Sequence, residues 1–167
     1  MRGDVFRVIG LDPGLQKTGY GLIDVSGNRL TYIAHGVIQS QKELDLSQRL
    51  CMLYEKLCDV IEHFCPHEAA VEETFVNMNA ATTLRLGMAR GVILMVPSKY
   101  RIPVGEYAAN RVKKSVVGVG HADKTQVSMM VQRLLGGCKK VTADGADALA
   151  VAICHAHFRK APGLLPC

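Results

Sequence analysis

The order of the apolar segments is the feature that most restricts how this chain can fold. Three short apolar runs, at 5–12, 19–25 and 30–39, follow one another with only turns between them, and Ser-Gly-Asn separates the last two. This spacing predicts three strands in an antiparallel meander. Helices and strands then alternate along the chain, so we expect an α/β fold whose five-stranded mixed sheet carries helices on both faces.

Helical and strand-like periodicities define the remaining elements. Leucines and other apolar residues recur at helical spacing from 46 to 64, and Cys65-Pro66 ends that helix. The other predicted elements are strands over 68–74 and 102–108 and helices over 78–96, 123–135 and 143–158. In the helix over 123–135, the residues expected to face inward are Val127, Met130, Val131 and Leu134.

Composition supports a single folded domain. Hydrophobic residues make up 49% of the 167 residues and charged residues 21%, which is typical of a chain with a solid core. No apolar run approaches the roughly 18–20 residues of a membrane span, and Asp4, Arg7 and Asp12 interrupt the stretch that a signal peptide would need. We expect one domain over 1–160, a frayed tail over 161–167, and a cytoplasmic protein that does not contact membranes.

Two adjacent glutamates lie inside an apolar run, Ala-Val-Glu-Glu-Thr-Phe at 70–75. A buried, unpaired carboxylate is strongly unfavourable, so Glu72 or Glu73 requires compensation. Asp12 ends the first predicted strand, and ligands of such sheets gather beyond the carboxyl ends of parallel strands. If the first and fourth strands are neighbours, their acidic residues converge.

The last predicted helix opens with a second pair of acids. Asp144 and Asp147 are three residues apart and therefore share one helix face, although capping alone often places aspartate there. Together with Asp12 and Glu72 they would place four carboxylates at one edge of the sheet. Hard oxygen ligands of this kind suit Mg²⁺ or Mn²⁺, and two such ions can promote phosphodiester cleavage.

A basic segment precedes the fourth helix. Residues 110–124 include Arg111, Lys113, Lys114 and Lys124, and the chain carries a net charge of +5, which is typical of proteins with a polyanionic partner. Residues 118–125 look like a phosphate-binding loop. However, Asp123 stands where that loop requires glycine, so we do not expect a nucleotide there.

The six cysteines do not form a zinc-binding pattern, because none of them is in a Cys-x-x-Cys pair. Cys51, Cys58 and Cys65 recur every seven residues along one flank of a helix, where we expect them to be small buried residues. A metal site at 154–157, Cys-His-Ala-His, is the weaker alternative because it lacks a second half-site.

Four segments, at 9–23, 70–92, 106–127 and 142–157, together resemble the RuvC family of bacterial Holliday-junction resolvases, which belongs to the RNase H-like superfamily. The resemblance implies an RNase H-like fold and a homodimeric endonuclease that requires two Mg²⁺ ions per active site, with Mn²⁺ as a substitute. It also implies paired symmetric nicks in four-way DNA junctions during recombination and repair. The products carry 5′-phosphate and 3′-hydroxyl ends, and the RuvA–RuvB branch-migration complex is the expected partner.

The resemblance also assigns roles to individual residues. The metal-binding and catalytic acids are Asp12, Glu72, Asp144 and Asp147, which leaves Glu73 as the outward neighbour of Glu72. Lys113 and Lys124 match catalytic lysines near the scissile phosphate, and Phe75 matches an aromatic residue that contacts unstacked bases. The further candidates for DNA contacts are Arg85, Arg90, Arg111 and Lys114.

Other functions stay open from the residues. Actin- and sugar-kinase-like ATPases also begin with a strand, Asp-x-Gly and a glycine-rich hairpin, as residues 11–21 do here. A small RNase H-like nuclease acting on RNA, or a junction-binding scaffold without catalysis, would share several of the same features. For the dimer, the helix over 78–96, with Met88, Met95 and two glycines, is the candidate interface.

Overall fold

The structure, a computed structural model, describes residues 5–74, 79–136 and 141–159. Its strands are β1 (Phe6–Asp12), β2 (Lys17–Ser26), β3 (Arg29–Gln39), β4 (Glu68–Glu72) and β5 (Val104–Tyr107). Its helices are α1 (Leu46–Phe64), α2 (Ala80–Lys99), α3 (Ala109–Val117), α4 (Lys124–Leu134) and α5 (Ala143–Phe158). Phe75 and the predicted tail over 161–167 lie outside the described residues.

The strands form one mixed sheet in the order β3-β2-β1-β4-β5. The first three strands are antiparallel neighbours, whereas β4 is parallel to β1 and β5 is parallel to β4. The predicted meander, the five-stranded mixed sheet and the adjacency of the first and fourth strands are therefore confirmed. None of the helices in the described ranges is long and apolar enough to cross a bilayer.

Each face of the sheet carries its own hydrophobic core, because side chains alternate between faces along a strand. Val8 and Ala70 point to the face covered by α3, α4 and α5, which we call the α5 face. Ile9 and Val71 point to the opposite face, covered by α1 and α2, which we call the α1 face. The same alternation assigns Asp12 and Glu72 to the α5 face.

Glycines in β1 and β2 allow α5 to approach the sheet closely. A Cβ atom at Gly10 would lie 2.1 Å from the carbonyl oxygen of Ala148, and one at Gly19 would lie 2.5 Å from that of Asp144. Since Gly19 pairs with Asp12 across the β1–β2 ladder, the first turn of α5 lies beside the end of β1. The helix then runs antiparallel to β1, and Ala152 also lies against Gly10.

The structure corrects the sequence interpretation at several positions. The basic segment contains a helix, α3, which buries Val112 and Val116 and was not predicted. At the end of α4, Leu134 is exposed, contrary to the prediction, and Leu135, the residue that follows the helix, is buried because it continues the four-residue spacing from Val131.

The cysteine prediction is correct only in part. Cys58 lies in the core, but Cys51 and Cys65 are exposed. A seven-residue repeat drifts by about 20° per repeat around a straight helix, so the three side chains cannot all keep the same environment. Cys65 also lies beyond the end of α1, where it adopts a left-handed backbone conformation with φ of 48°.

Candidate active site

The register of the sheet brings Asp12 and Glu72 side by side. Leu11 pairs with Val71 in the parallel ladder between β1 and β4, and Asp12 and Glu72 are the next residues along each strand. Both side chains project from the α5 face. Glu73 is exposed beyond the end of β4, and its backbone N–H donates to the carbonyl oxygen of Tyr107 at 2.9 Å. The structure therefore places Glu72, rather than Glu73, at the site.

A pocket of about 240 Å³ opens at this edge of the sheet. Its charged lining comes from five elements: β1, β4, α3, α4 and α5. Those residues are, in the same order, Asp12, Glu72, Lys113, Lys124 and Asp147. The apolar part of its wall is supplied by Ala109, Val112, Val127 and Ala150. Five segments that are distant along the chain thus contribute to one small concave surface.

Asp144 lies next to this pocket without lining it. It occupies the first turn of α5, and its carbonyl oxygen faces Gly19, the ladder partner of Asp12. Its charge contributes to raising the pKa of Asp12, so the two carboxylates are electrostatically coupled. The four predicted acids therefore gather in one region, three of them in the pocket wall and the fourth beside it.

Asp12 and Glu72 hold their protons unusually tightly. Burial, followed by repulsion from Asp147 and Asp144, raises the pKa of Asp12 from 3.8 to about 6, although Lys124 opposes the shift. Burial, followed by repulsion from Asp12 and Asp147, raises the pKa of Glu72 from 4.5 to about 7. Like charges held together in a partly desolvated site produce such shifts, and a cation would relieve them.

Two lysines provide part of the missing positive charge. Lys124 Nζ donates to Asp147 Oδ2 at 3.2 Å, and this contact raises the pKa of the lysine. The Lys124 side chain is nevertheless 80% exposed, so its ammonium remains accessible to a ligand. Lys113 approaches from α3 and opposes the upward shift of the Glu72 pKa. The pKa values of Asp12 and Glu72 remain raised although the lysines oppose the shifts. The lysines therefore compensate the negative charge of the pocket only in part.

Asp123, which ruled out a phosphate loop in the sequence, has a clear local role. Its side chain accepts a hydrogen bond from the backbone N–H of Gln126 at 2.9 Å, while the Gln126 side chain accepts from the Asp123 N–H at 3.0 Å. This reciprocal pair is a capping box, which begins α4 at the next residue. Lys124 is thereby placed in the first turn of the helix, at the mouth of the pocket.

The donor set fits divalent metal ions, although the side chains are not arranged as a finished coordination shell. Within 5–74, 79–136 and 141–159, no group of three His, Cys, Asp or Glu side chains could already hold an ion. However, the pocket offers only carboxylate oxygens as acidic donors, and burial, followed by repulsion between the acids, raises the pKa values of Asp12 and Glu72. Hard oxygen donors with uncompensated charge suit Mg²⁺ or Mn²⁺.

The remaining predicted DNA contacts do not line the pocket. Arg90 forms an ion pair with Glu106 of β5, and the Arg111 guanidinium lies 4.4 Å from the centre of the Phe158 ring. Lys114 is exposed on α3, and Arg85 lines a separate pocket near α1. Arg90 and Arg111 therefore have partners within the chain.

A second polar cluster, which the sequence analysis missed, lies at the opposite end of β4. His155 bonds Tyr107 Oη through Nδ1 at 2.8 Å and Glu68 Oε2 through Nε2 at 2.6 Å. Arg159 also donates to both oxygens of Glu68, at 2.6 and 3.1 Å. Since both ring nitrogens of His155 are engaged and Cys154 is buried in the core, these contacts disfavour a metal site at 154–157.

Comparisons with known proteins agree with this arrangement. A family model described as Crossover junction endodeoxyribonuclease RuvC matches residues 8–155. The chain is similar to proteins of that name from Paramagnetospirillum magneticum, at 61% identity over 92% of each chain, and from Brucella ovis, at 52% identity over 94% of this chain and 91% of the other.

Solved structures show the same fold. Thermus thermophilus RuvC in complex with Holliday junction substrate superposes with a TM-score of 0.85 at 29% identity, covering 92% of this chain and 94% of the other. The yeast mitochondrial Holliday junction resolvase Ydc2 superposes with a TM-score of 0.64 at 15% identity, covering 94% and 82%, and indicates a shared fold only.

Proposed function

The chain belongs to the RuvC family of crossover junction endodeoxyribonucleases, and from this premise we propose that it resolves four-way DNA junctions by paired, symmetric, metal-dependent nicks. The observation that carries the proposal is the single pocket in which Asp12, Glu72 and Asp147 meet Lys113 and Lys124. Acids and lysines in one concave site suit a reaction in which a phosphodiester and hydrolytic water must be held together.

The four acids would hold divalent ions, with Asp12 and Glu72 on adjacent strands and Asp144 and Asp147 on α5. When bound, two such ions activate water and stabilise the leaving 3′-oxygen, which yields 5′-phosphate and 3′-hydroxyl ends. The chain's own contribution is a rigid frame. Because Gly10 and Gly19 pack directly against α5, the acids of the sheet and those of the helix are held at fixed positions relative to one another.

The two lysines serve the substrate in this proposal. Lys124 is exposed at the rim, so its ammonium can bind a phosphate oxygen of an arriving strand. Lys113 lies deeper, beside Glu72, where it can stabilise negative charge that develops on the phosphate. Phe75 as a base-stacking residue rests on the resemblance alone, as does the RuvA–RuvB partner.

A symmetric dimer would present two such pockets to the two-fold axis of a junction. Support comes from α2, where Leu84, Met88 and Met95 are 62%, 40% and 52% exposed. Side chains added at Gly87 or Gly91 would meet nothing within 4 Å, so the backbone of α2 is accessible along this helix. An apolar helix surface of this kind suits close packing against the same helix of a second copy.

A cleavage assay on a synthetic mobile four-way junction tests the proposal. We expect paired nicks in opposing strands with Mg²⁺ or Mn²⁺, none with EDTA, and products that DNA ligase reseals. Asp12→Asn should bind the junction without cutting it. Preferential cleavage of structured RNA, or ATP hydrolysis without DNA, would instead support one of the other classes of enzyme.

A further inference from the structure

We propose that a second basic pocket, formed by Lys42, Arg49 and Arg85, binds a backbone phosphate of the junction DNA a few nucleotides from the cut. This inference rests on the proposed function, because it assumes that the chain binds junctions. The pocket lies on the α1 face, next to the loop that follows β1. We call it the α1 pocket.

The α1 pocket is built from three parts of the chain that meet beside the catalytic edge. Leu15 comes from the loop after β1, Lys42 from the loop before α1, and Arg85 from α2. Leu15 is three residues beyond Asp12, which limits their separation to about 11 Å. One DNA strand advances about 3.4 Å per nucleotide along the helix axis, so Leu15, in the wall of the α1 pocket, is at most about three nucleotides from Asp12.

Arg49 is held in place by hydrogen bonds to a hydroxyl and a backbone carbonyl rather than by an ion pair with an acid. Its Nε donates to Ser40 Oγ at 3.0 Å, and its Nη2 approaches the carbonyl oxygen of Leu15 at 3.4 Å. Ser40 Oγ in turn donates to the same carbonyl at 2.6 Å. These contacts orient the guanidinium without neutralising its charge. They also connect it to the loop after β1, which begins just beyond Asp12.

The basic residues of the α1 pocket differ from other arginines of this protein in their partners. Arg7, Arg90 and Arg159 each form an ion pair, with Asp24, Glu106 and Glu68. By contrast, none of Lys42, Arg49 and Arg85 forms an ion pair with any residue in the described part of the chain. Asp45, the one acid in the lining, begins α1 in a capping box with Gln48.

The size and chemistry of the α1 pocket select the ligand. Its volume of about 230 Å³ is below the roughly 300–1,000 Å³ of small-molecule sites, so it suits a single group better than a whole ligand. Three cations at the rim and one acid leave it net positive, which favours phosphate. A strand that leaves the catalytic pocket can therefore cross the loop after β1 and place a phosphate there.

Junction binding by a charge-neutralised variant tests this inference. Lys42→Gln/Arg85→Gln removes two exposed side chains that have no ion pairs within the described residues, so the fold should persist, whereas Arg49 variants would disturb Ser40. In EDTA, which prevents cleavage, we expect Kd to rise about fivefold to tenfold near 50 mM salt. The slope of log K against log salt should fall by about 1, because a phosphate contact contributes about 0.9.

Arg29→Gln is the matched control, since Arg29 is exposed at the β2–β3 turn, far along the sheet from Asp12. Equal Kd and equal salt slope for the double variant, wild type and Arg29→Gln would overturn the inference. When the double variant is present at a concentration that saturates the junction, a single-turnover cleavage rate near that of wild type would support a role in binding. If wild type neither binds nor cuts junctions, the proposed function itself fails.

Discussion

Glu68 and Glu72 stand at opposite ends of the same strand and face the same side of the sheet, yet their surroundings are of opposite charge. Glu68 accepts from Arg159 through both oxygens and contacts His155 at 2.6 Å. Glu72 instead lies beside Asp12 and Asp147, and burial, followed by repulsion from these acids, raises its pKa to about 7. A partly buried carboxylate can thus be compensated within the chain or left to be compensated by a ligand.

The orientation of α5 explains why the two ends differ. The helix starts beside the end of β1 with Asp144 and Asp147 and finishes near the start of β4 with His155 and Arg159. Acids at a helix N-terminus and basic groups at its C-terminus both interact favourably with the helix dipole. The same helix therefore delivers negative charge to Glu72 and positive charge to Glu68.

The largest expected effect is a loss of cleavage activity on substitution of Glu72. Glu72→Gln should lower the single-turnover cleavage rate at least about 1,000-fold, since in the proposed mechanism it removes an acid that holds a metal ion. Junction affinity should remain close to wild type. Glu73→Gln, which changes the exposed neighbour, is the control and should stay within about threefold of wild type. Cleavage retained by Glu72→Gln but lost by Glu73→Gln would reverse the assignment.

The other three acids should show the same separation of cleavage from binding. Asp12→Asn, Asp144→Asn and Asp147→Asn are each expected to abolish nicking while the junction still binds. The Asp144 variant is the most informative of the three, because Asp144 lies beside the pocket rather than in its wall. Retained cleavage in any one of these variants would remove that residue from the site.

The second effect concerns stability and should appear at the other end of β4. Glu68→Gln leaves Arg159 and His155 without their carboxylate, and breaking a buried pair in this way lowers the free energy of unfolding by about 3 kcal/mol. Urea unfolding measures the loss, and Glu43→Gln, at an exposed position, is the control. Cleavage by the folded variant should stay within a few-fold of wild type. A loss of cleavage as large as that of Glu72→Gln would show that the two ends are not functionally distinct.

A third effect tests whether the lysines at the Glu72 end serve substrate. Lys113→Ala should slow cleavage by about 30-fold, or about 2 kcal/mol, because it removes one group that stabilises charge on the phosphate. Its junction Kd should change far less than its rate. Lys56→Ala, which removes an exposed lysine on α1, is the control. A large change in Kd with an unchanged rate would make Lys113 only a phosphate anchor.

The smallest effect is the dependence of metal-free stability on pH. Because folding raises the pKa of Glu72 from 4.5 to about 7, the folded state binds more protons than the unfolded state between those values. The free energy of unfolding should therefore fall as pH rises through this window. In EDTA at pH 8, Glu72→Gln should be more stable than wild type by about 1–2 kcal/mol, after allowance for the partial exposure of the group.

Near pH 3 the two proteins should be equally stable, because Glu72 is then protonated in both the folded and the unfolded state. Excess Mg²⁺ at pH 8 should stabilise wild type more than Glu72→Gln, since a ligand of the folded state adds stability in proportion to its binding. Urea titrations of both proteins under the three conditions give all six stabilities. A wild type that is more stable than Glu72→Gln in EDTA at pH 8 would contradict the repulsion inferred for this pocket.

Much of the site could be predicted because its acids lie at places that local sequence marks. Asp12 ends a strand, and Asp144 and Asp147 open a helix. The choice of Glu72 over Glu73 needed the family resemblance at first, since both faces of β4 are buried and alternation alone does not distinguish them. The α1 pocket gave no comparable signal, because Lys42, Arg49 and Arg85 share no motif or short spacing.

The sequence by itself determined the order of the elements other than α3, the meander and the acidic residues at strand and helix ends, because these depend on contacts between near neighbours. Only the tertiary structure decided which charges meet: Glu68 with Arg159, Arg90 with Glu106, and Glu72 with Asp12. It also decided that α3 is a helix, since Val112 and Val116 gain their burial from other parts of the chain. Local periodicity determined whether most segments became helices or strands, but strand register and the packing of α5 determined which of them are neighbours.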